Sequence, residues 1–293
     1  MLGYRHAFHA GNFADAFKHV LLVQLIQALR RKDKPFCLFD THAGAGRYDL
    51  HSAPAQKNRE FVGGIGRLWN QEGLGPELTE YVEQVQALNP GGELREYPGS
   101  PRLARALLRP GDRLILTELH PADHAALAAE FARDRQVAVH HADGYEALKR
   151  FLPPPERRGL VLLDPTYELK GEFARLIEAV KIIHRRWASG MAAIWYPILD
   201  RAPSLRFQRT LGELEIPAIL CAELALYPDD GPPGLRGCGM IVINPPWRLD
   251  ETLARLLPEL LDRLRVGDFG QTRLEWLAPA PCISKTFFRS GGV

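Results

Sequence analysis

The chain is short of the features that announce several whole classes of protein. Its 293 residues include four cysteines, Cys37, Cys221, Cys238 and Cys282, and no Cys-x-x-Cys pair. That scatter excludes a zinc ribbon and a disulfide framework, and it fits a reducing compartment. No apolar run approaches the roughly 20 residues of a membrane helix. The start of the chain lacks a basic segment followed by a long apolar stretch, so no secretory leader and a cytoplasmic location are expected. An excess of charge of one sign is also missing. The formal net charge is +2, with 25% charged and 46% hydrophobic residues, which is ordinary for a globular chain. Charge is nevertheless uneven. Residues 1–35 hold Arg5, Lys18, Arg30, Arg31, Lys32 and Lys34 against Asp15 and Asp33, with His6, His9 and His19 in the same stretch. A local basic face is the least that a polyanion partner requires, although a solvated helix end has the same composition.

What is present is an alternation of strand and helix patterns. Asn12 can cap an amphipathic helix over 12–31 with Val20, Leu21, Val23, Leu25, Ile26 and Leu29 on its apolar face, and Lys32 to Pro35 ends it. Phe36 to Phe39 reads as a buried strand that stops at Asp40. Residues 50–97 break the alternation with two helices, about 57–70 and 77–88, and read as a helical insertion. A helix over 101–108 starts with Ser100 as a possible cap and Pro101 at its first position. Strands at 113–117, 137–140, 160–163 and 191–196 then alternate with helices at 121–133, 144–151, 171–187 and 203–213. Strands at 217–227 and 239–243 form an expected antiparallel hairpin, followed by a helix at 250–264 and a strand at 272–276. Residues 278–293 have no clear period and read as a loose tail. Strands separated by helices predict an α/β fold with a parallel sheet covered on both faces. The expected architecture is a Rossmann-like methyltransferase fold, one domain over 1–293 with the 50–97 segment inserted. A dehydrogenase would more often repeat a second βαβαβ half in place of the closing hairpin.

Four groups of chemistry-bearing residues fall at the ends of successive strands. The run Leu160 to Leu163 stops at Asp164, and Pro165, Thr166 and Tyr167 follow. Pro165 cannot donate to a sheet ladder, so a carboxylate, a rigid turn and a ring are left at the carboxyl edge, where open α/β sheets bind ligands. That set suits a flat base with an exocyclic amine: the carboxylate and a carbonyl accept from the amine, and the ring stacks. Gly44 and Gly46 form a loop after the first strand. The third glycine of a dinucleotide fingerprint is absent, since Asp49 stands there, and a tight structural turn explains the pair equally well. Glu118 can accept both hydroxyls of a ribose. It lies 72 residues beyond Gly46, against a usual spacing of about 20, and the insertion accounts for the excess. Asp143-Gly144 can take the amino group of a bound adenine, or can be a plain Asp-Gly turn. Asn244-Pro245-Pro246-Trp247 fits the amine-gripping pattern better by letters than Asp164 to Tyr167 does. Its place after the hairpin, on the far side of the sheet from the glycine loop, favours a structural strand exit. The ten histidines include close pairs, but no zinc signature accompanies them and no metal is expected.

With these residues assembled, the chain resembles the RlmJ family of bacterial 23S ribosomal RNA adenine-N6 methyltransferases over about residues 1–278. The most specific stretches are Tyr4 to Asn12, Asp15 with Lys18-His19, Asp40 to Tyr48, Tyr97 to Pro101, Thr117 to Pro121, Ala142 to Gly144, Trp195 to Pro197 and Asn244 to Trp247. The resemblance implies a monomeric enzyme that uses S-adenosyl-L-methionine and carries a helical insertion. It also implies methylation of one adenine N6 in 23S rRNA, on free or partly assembled RNA. By resemblance, His19, His42, Ser100, Glu118, Asp143 and Gly144 line the cofactor site beside the Gly44–Gly46 loop. Asp164 is the catalytic acceptor, Tyr4 touches the RNA, and Lys18 helps to order the N-terminal segment over the site. One departure stands out: Thr166 replaces the second proline of the family's Asp-Pro-Pro-Tyr turn. The carbonyl of Pro165 is unaffected by that change.

Direct in-line methyl transfer follows from this set, with Asp164 and the Pro165 carbonyl accepting hydrogen bonds from the two amine N–H groups and Tyr167 stacking on the base. Three rivals are open at the level of sequence: an NAD-linked oxidoreductase, a non-catalytic RNA-binding protein that keeps the fold, and a DNA adenine methyltransferase.

Overall fold

The computed structural model describes residues 5–168, 170–231 and 234–280. Tyr4 and the tail beyond residue 280 lie outside the described residues. The chain opens with a short 3-10 turn and then α1 (Phe13–Arg30). Asn12 caps α1, its side chain accepting from the Asp15 amide at 2.9 Å. The helix is buried on nearly every side, which suits a helix laid between a sheet and other helices.

The elements that follow are β1 (Cys37–Asp40), β2 (Arg47–Asp49), α2 (Ala53–Asn58), α3 (Ile65–Leu68), α4 (Pro76–Ala87), β3 (Glu96–Pro98) and α5 (Ser100–Leu107). Next come β4 (Arg113–Glu118), α6 (Pro121–Glu130), β5 (Val137–His141), α7 (Gly144–Phe151), β6 (Gly159–Leu163), α8 (Glu172–Trp187) and β7 (Met191–Ile198). The chain closes with α9 (Arg201–Gly212), β8 (Ile219–Ala225), β9 (Gly237–Ile243), α10 (Leu249–Leu264) and β10 (Gln271–Ala278).

Eight strands form one sheet in the order β10-β8-β9-β7-β6-β1-β4-β5. The five from β7 to β5 are parallel, and β9, β8 and β10 are antiparallel to their neighbours. The sheet is therefore the Rossmann-like one expected, with the closing hairpin. Period-two alternation splits the core. Leu38, Leu160 and Leu162 face α1, α4, α5 and α10, while Phe39, Val161 and Leu163 face α7, α8 and α9. From β1 the chain moves outward to β4 and β5, then crosses back to β6 and β7. The reversal puts a crevice at the carboxyl ends of β1 and β6.

Two local expectations need correction. The helix expected over 57–70 is three pieces: α2, a 3-10 turn at Glu60–Gly63, and α3. Arg59 takes a left-handed conformation (φ 52°) that ends α2, and the Ile65 amide donates to the Gly11 carbonyl at 2.9 Å. The chain is thereby drawn onto the N-terminal segment and cannot continue one helix. The second is the pairing of β2 with β3, Tyr48 opposite Tyr97, a small two-stranded sheet that short polar sequences gave no reason to expect.

Candidate active site

The crevice at the strand ends is a cavity of about 450 Å³. Its walls come from both sides of the chain reversal: the start of α1, the β1–β2 loop, the ends of β4, β5 and β6, and the end of β7. Among the described residues it is lined by eight carboxyl side chains and two cations, Lys18 and Arg175.

Asp164 follows β6 directly and is fixed by α1. Lys18 Nζ lies 2.6 Å from Asp164 Oδ2 and 2.9 Å from Asp15 Oδ1. Their side chains are 6% (Lys18), 15% (Asp164) and 3% (Asp15) exposed, so the trio is almost dry. Burial works against the Lys18 ammonium, but Asp15 and Asp164 outweigh it and hold its pKa well above the usual lysine value. Asp15 also accepts from the Gly11 amide at 2.8 Å and pairs with His6 at 2.8 Å. Burial opposes its charge too, yet His6 and Lys18 bring its pKa well down. Among the described residues Asp164 Oδ1 and the Pro165 carbonyl accept no hydrogen bond, and both residues line the cavity. Two acceptors are thus available side by side.

Tyr167 also lines the cavity, in a left-handed conformation (φ 58°) that a non-glycine residue adopts only at a cost of about 1 kcal/mol or more. Its hydroxyl donates to the Trp195 carbonyl at 2.6 Å, and its ring packs edge-on to Trp195 and beside Phe173. The ring is therefore pinned before any base arrives.

Glu118 turns back over the glycine loop. Its two oxygens accept from the Gly44 amide at 2.8 Å and the His120 amide at 2.7 Å. Each oxygen keeps a second lone pair for a ligand. Gly44 has φ 61°, and a Cβ there would stand 2.3 Å from the Tyr48 hydroxyl, so only glycine fits. Gly46, expected to face the ligand, is not among the residues lining the cavity. It packs toward Leu127, and its carbonyl accepts from the Gly99 amide at 2.9 Å. Gly144 lets α7 approach β1, since a Cβ there would meet the Thr41 carbonyl at 2.1 Å.

Asp143 is busier than the sequence implied. It caps α7 through the Tyr145 amide at 2.8 Å, and Oδ2 accepts from Arg175 at 2.8 Å. Burial raises its pKa, but the Arg175 bond and the cap hold it below the usual range. Arg175 in turn lies 4.2 Å over the Tyr145 ring, and the Tyr145 hydroxyl donates to Glu172 at 2.5 Å.

Ser100 donates to Asp40 Oδ2 at 2.6 Å. Burial pushes the Asp40 carboxyl up to about 7, a shift the Ser100 bond opposes and Asp164 reinforces. His42 sits edge-on to Tyr145, and burial brings its imidazole down to about 4. His19 is buried, and burial, with Lys18 adding, drives its pKa well down. Its Nδ1 pairs with the Tyr97 hydroxyl at 2.8 Å, and its Nε2 has no partner among the described residues.

The rival motif is settled by topology. β9 runs antiparallel to β7, with Ile243 opposite Ala192, so Asn244 emerges at the edge where the parallel strands begin. Its side-chain amide donates to the Ala188 and Gly190 carbonyls at 2.7 and 2.8 Å, and Trp247 is 83% exposed. The basic run Arg30 to Lys34 lies at that same remote edge, not at the cavity mouth, because α1 starts at the cavity and runs away from it. Asp15, Tyr48, Glu172, Arg175 and Trp195 line the cavity and were not expected as site residues, and Asp40 lies buried behind the lining Ser100.

A family model described as ribosomal RNA large subunit methyltransferase D, RlmJ, matches residues 33–278. The ribosomal RNA large subunit methyltransferase J of Escherichia coli (strain K12) is 45% identical over 279 residues, covering 95% of this chain and 100% of that protein. The chain belongs to this family. The Haemophilus influenzae protein of the same name is 44% identical over 280 residues, with the same coverage. The crystal structure of protein LPL1258 from Legionella pneumophila superposes with a TM-score of 0.85 at 36% identity, over 92% of this chain and 98% of that one. The protein is thus a large-subunit rRNA methyltransferase, and the family's cofactor is S-adenosyl-L-methionine. The residues present fit that group: an acid-lined cavity suits a sulfonium that also bears an ammonium, Glu118 offers lone pairs to a ribose, and the orphaned His19 Nε2 awaits a polar partner.

Proposed function

We propose that the chain methylates the exocyclic N6 of one adenine in 23S rRNA by direct in-line transfer, with Asp164, Pro165 and Tyr167 as the catalytic set. The observation that carries the reading is the pair of uncommitted acceptors, Asp164 Oδ1 and the Pro165 carbonyl, beside a ring fixed in the same cavity. An adenine amine is a poor nucleophile because its lone pair is delocalised into the ring. Accepting its two N–H groups at Asp164 and Pro165 favours the pyramidal form and orients the lone pair. Lys18 fills Oδ2 and so presents Oδ1 to the substrate. Tyr167 supplies a face for the base. S-adenosyl-L-methionine, when bound, supplies an already activated methyl group, so no strong base is needed beforehand. The proton released from the amine leaves by way of Asp164.

His19, His42, Gly44, Ser100, Glu118, Asp143 and Gly144 are assigned to the cofactor; Gly46 supports the loop from behind. Asp143 acts there chiefly by shaping the turn and placing Arg175. Tyr4, outside the described residues, is assigned to the RNA; Lys18, expected beside it, is 6% exposed and bound by Asp15 and Asp164, so its part is to hold Asp164 and not to touch RNA. The enzyme is read as a cytoplasmic monomer with residues 50–97 inserted in one domain; among the described residues no helix is long and apolar enough to cross a membrane. The deciding experiment uses tritiated S-adenosyl-L-methionine and 23S rRNA from cells lacking the modification. Label should appear as N6-methyladenine in RNA and not in matched DNA. Binding without incorporation would overturn the assignment.

A further inference from the structure

We propose that the face opposite the cavity, where the parallel strands begin, is a second docking surface for the sugar-phosphate backbone of the RNA substrate. The proposal rests on the reading of the chain as an RNA methyltransferase. A methyltransferase for a large RNA faces an electrostatic problem here. The backbone supplies most of the attraction in RNA and DNA binding, yet the cavity is lined by eight carboxyl side chains and two cations among the described residues, and its field opposes phosphate. Arg5 at the mouth is paired with the lining Asp123, so cations free to meet phosphate are sought elsewhere.

The fold gathers them at the remote edge. The helices run antiparallel to the parallel strands, so their C-termini collect there, and cations at those ends complement the helix dipoles. α1 ends at Arg30, and Arg31, Lys32 and Lys34 follow with Asp33 as the one acid in the run. Two further arginines lock this segment in place. Arg109 donates to the Lys32 carbonyl at 2.9 Å, and Arg158 donates to the Lys34 carbonyl at 2.5 Å. Both guanidinium groups lie over the Phe36 ring, at 5.6 and 5.8 Å. The partners of Arg158 are carbonyls, which leave its charge intact. Burial, with the neighbouring Arg109 adding, pushes its pKa down. Two of the nearby acids are spent, since Asp112 is buried and held by Arg109 and Glu156 pairs with Arg113; exposed Asp33 remains against the cations. Arg31, Lys32, Lys34 and Arg157 are exposed, and among the described residues their side chains make no hydrogen bond or ion pair. α1 lines the cavity as far as His19, and the 12 residues from there to Arg31 put the patch about 18 Å beyond the cavity wall, a span that a folded rRNA segment covers and a free nucleoside does not.

The test is the full-length variant R31A/K32A/K34A/R157A, with wild type as reference, assayed on unmodified 23S rRNA. KM for RNA should rise about tenfold or more near 0.1 M salt, and the slope of log affinity against log salt should flatten by about 3. kcat at saturating RNA and the Kd for S-adenosylhomocysteine should be unchanged. The charge-preserving variant R31K/K32R/K34R/R157K should recover wild-type binding. An unchanged KM and salt slope would overturn the proposal, and so would a loss that the charge-preserving variant fails to rescue. Absence of methylation by the wild type would instead overturn the proposed function.

Discussion

Replacing Asp164 with asparagine separates the chemistry of the site from its stability. Asparagine keeps an oxygen that can face Lys18, and Lys18 keeps Asp15 at 2.9 Å. The loss is then one charge-assisted bond in a nearly dry setting, a cost of about 1–3 kcal/mol. For a chain of this size that is a fall in Tm of a few degrees, at roughly 2–4 °C per kcal/mol. The catalytic loss should be far larger. A neutral amide cannot take the amine's proton, and removing a positioned acceptor of this kind lowers kcat by about 10²–10⁴-fold. Lys18→Met is the contrasting variant. It removes the cation between two almost buried carboxylates and should cost about 3–5 kcal/mol. Tritium transfer under saturating substrate gives kcat, calorimetry gives the cofactor Kd, and thermal melts give stability. D164N should lose turnover with its cofactor Kd within about twofold of wild type, because no cofactor contact is assigned to that side chain. Wild-type turnover in D164N, or a loss of cofactor binding equal to the loss of activity, would refute the reasoning.

Asp40→Asn should stabilise the protein in a pH-dependent way. A buried carboxyl raised to about 7 from its ordinary value of 3.8 is protonated in the fold at low pH and resists ionisation as pH rises between those values, so wild type loses stability across that window. The variant's Tm should match wild type near pH 4 and exceed it above pH 7; parallel Tm curves would contradict the burial argument. His42 has the opposite sign, with a folded pKa near 4, so it lowers stability as pH falls from about 6.5 to 4. His42→Gln should flatten that limb in the same melts. Gly44→Ala must either move Tyr48 or distort a left-handed turn, so cofactor Kd should rise at least several-fold by calorimetry, while D164N leaves it alone. Asn244→Ala strands two carbonyls and should cost about 1–2 kcal/mol in urea melts with kcat unchanged; a dead but stable N244A would reopen the rival motif.

The part of the site that is legible in sequence lies at strand ends. Asp164 and Glu118 each close an apolar strand and Asp143 follows the end of another, and a carboxylate at a carboxyl edge marks a ligand position whatever the intervening length. Glu118 could be matched to the glycine loop only by assuming an insertion. What is not legible is what meets across the chain. Lys18 and Asp164 are 146 residues apart, and nothing local to either reveals the other; the family resemblance placed Lys18 near the site, not opposite that acid. Arg175 and Glu172 look like an ordinary first helical turn, because their partners, Asp143 and Tyr145, come from another strand-helix unit. Apolar spacing over 57–70 permits one helix, and the left-handed Arg59 and the approach of Gly64 to Gly11 forbid it. The basic run at 30–34 shows the same limit in reverse: a count of charges does not say which end of a helix faces the ligand.

α1 precedes the first strand, yet it forms one wall of the cavity and is wrapped by core on nearly all sides. Shortening the polypeptide to the alternating unit that opens at β1 would therefore excise Asp15, Lys18 and His19 together and lay bare a long apolar trough. The exposed bend at residues 31–35 is the one joint between these two parts. A cut there would yield a fragment pair in which an added α1 peptide, by seating in that trough, turns the enzyme on.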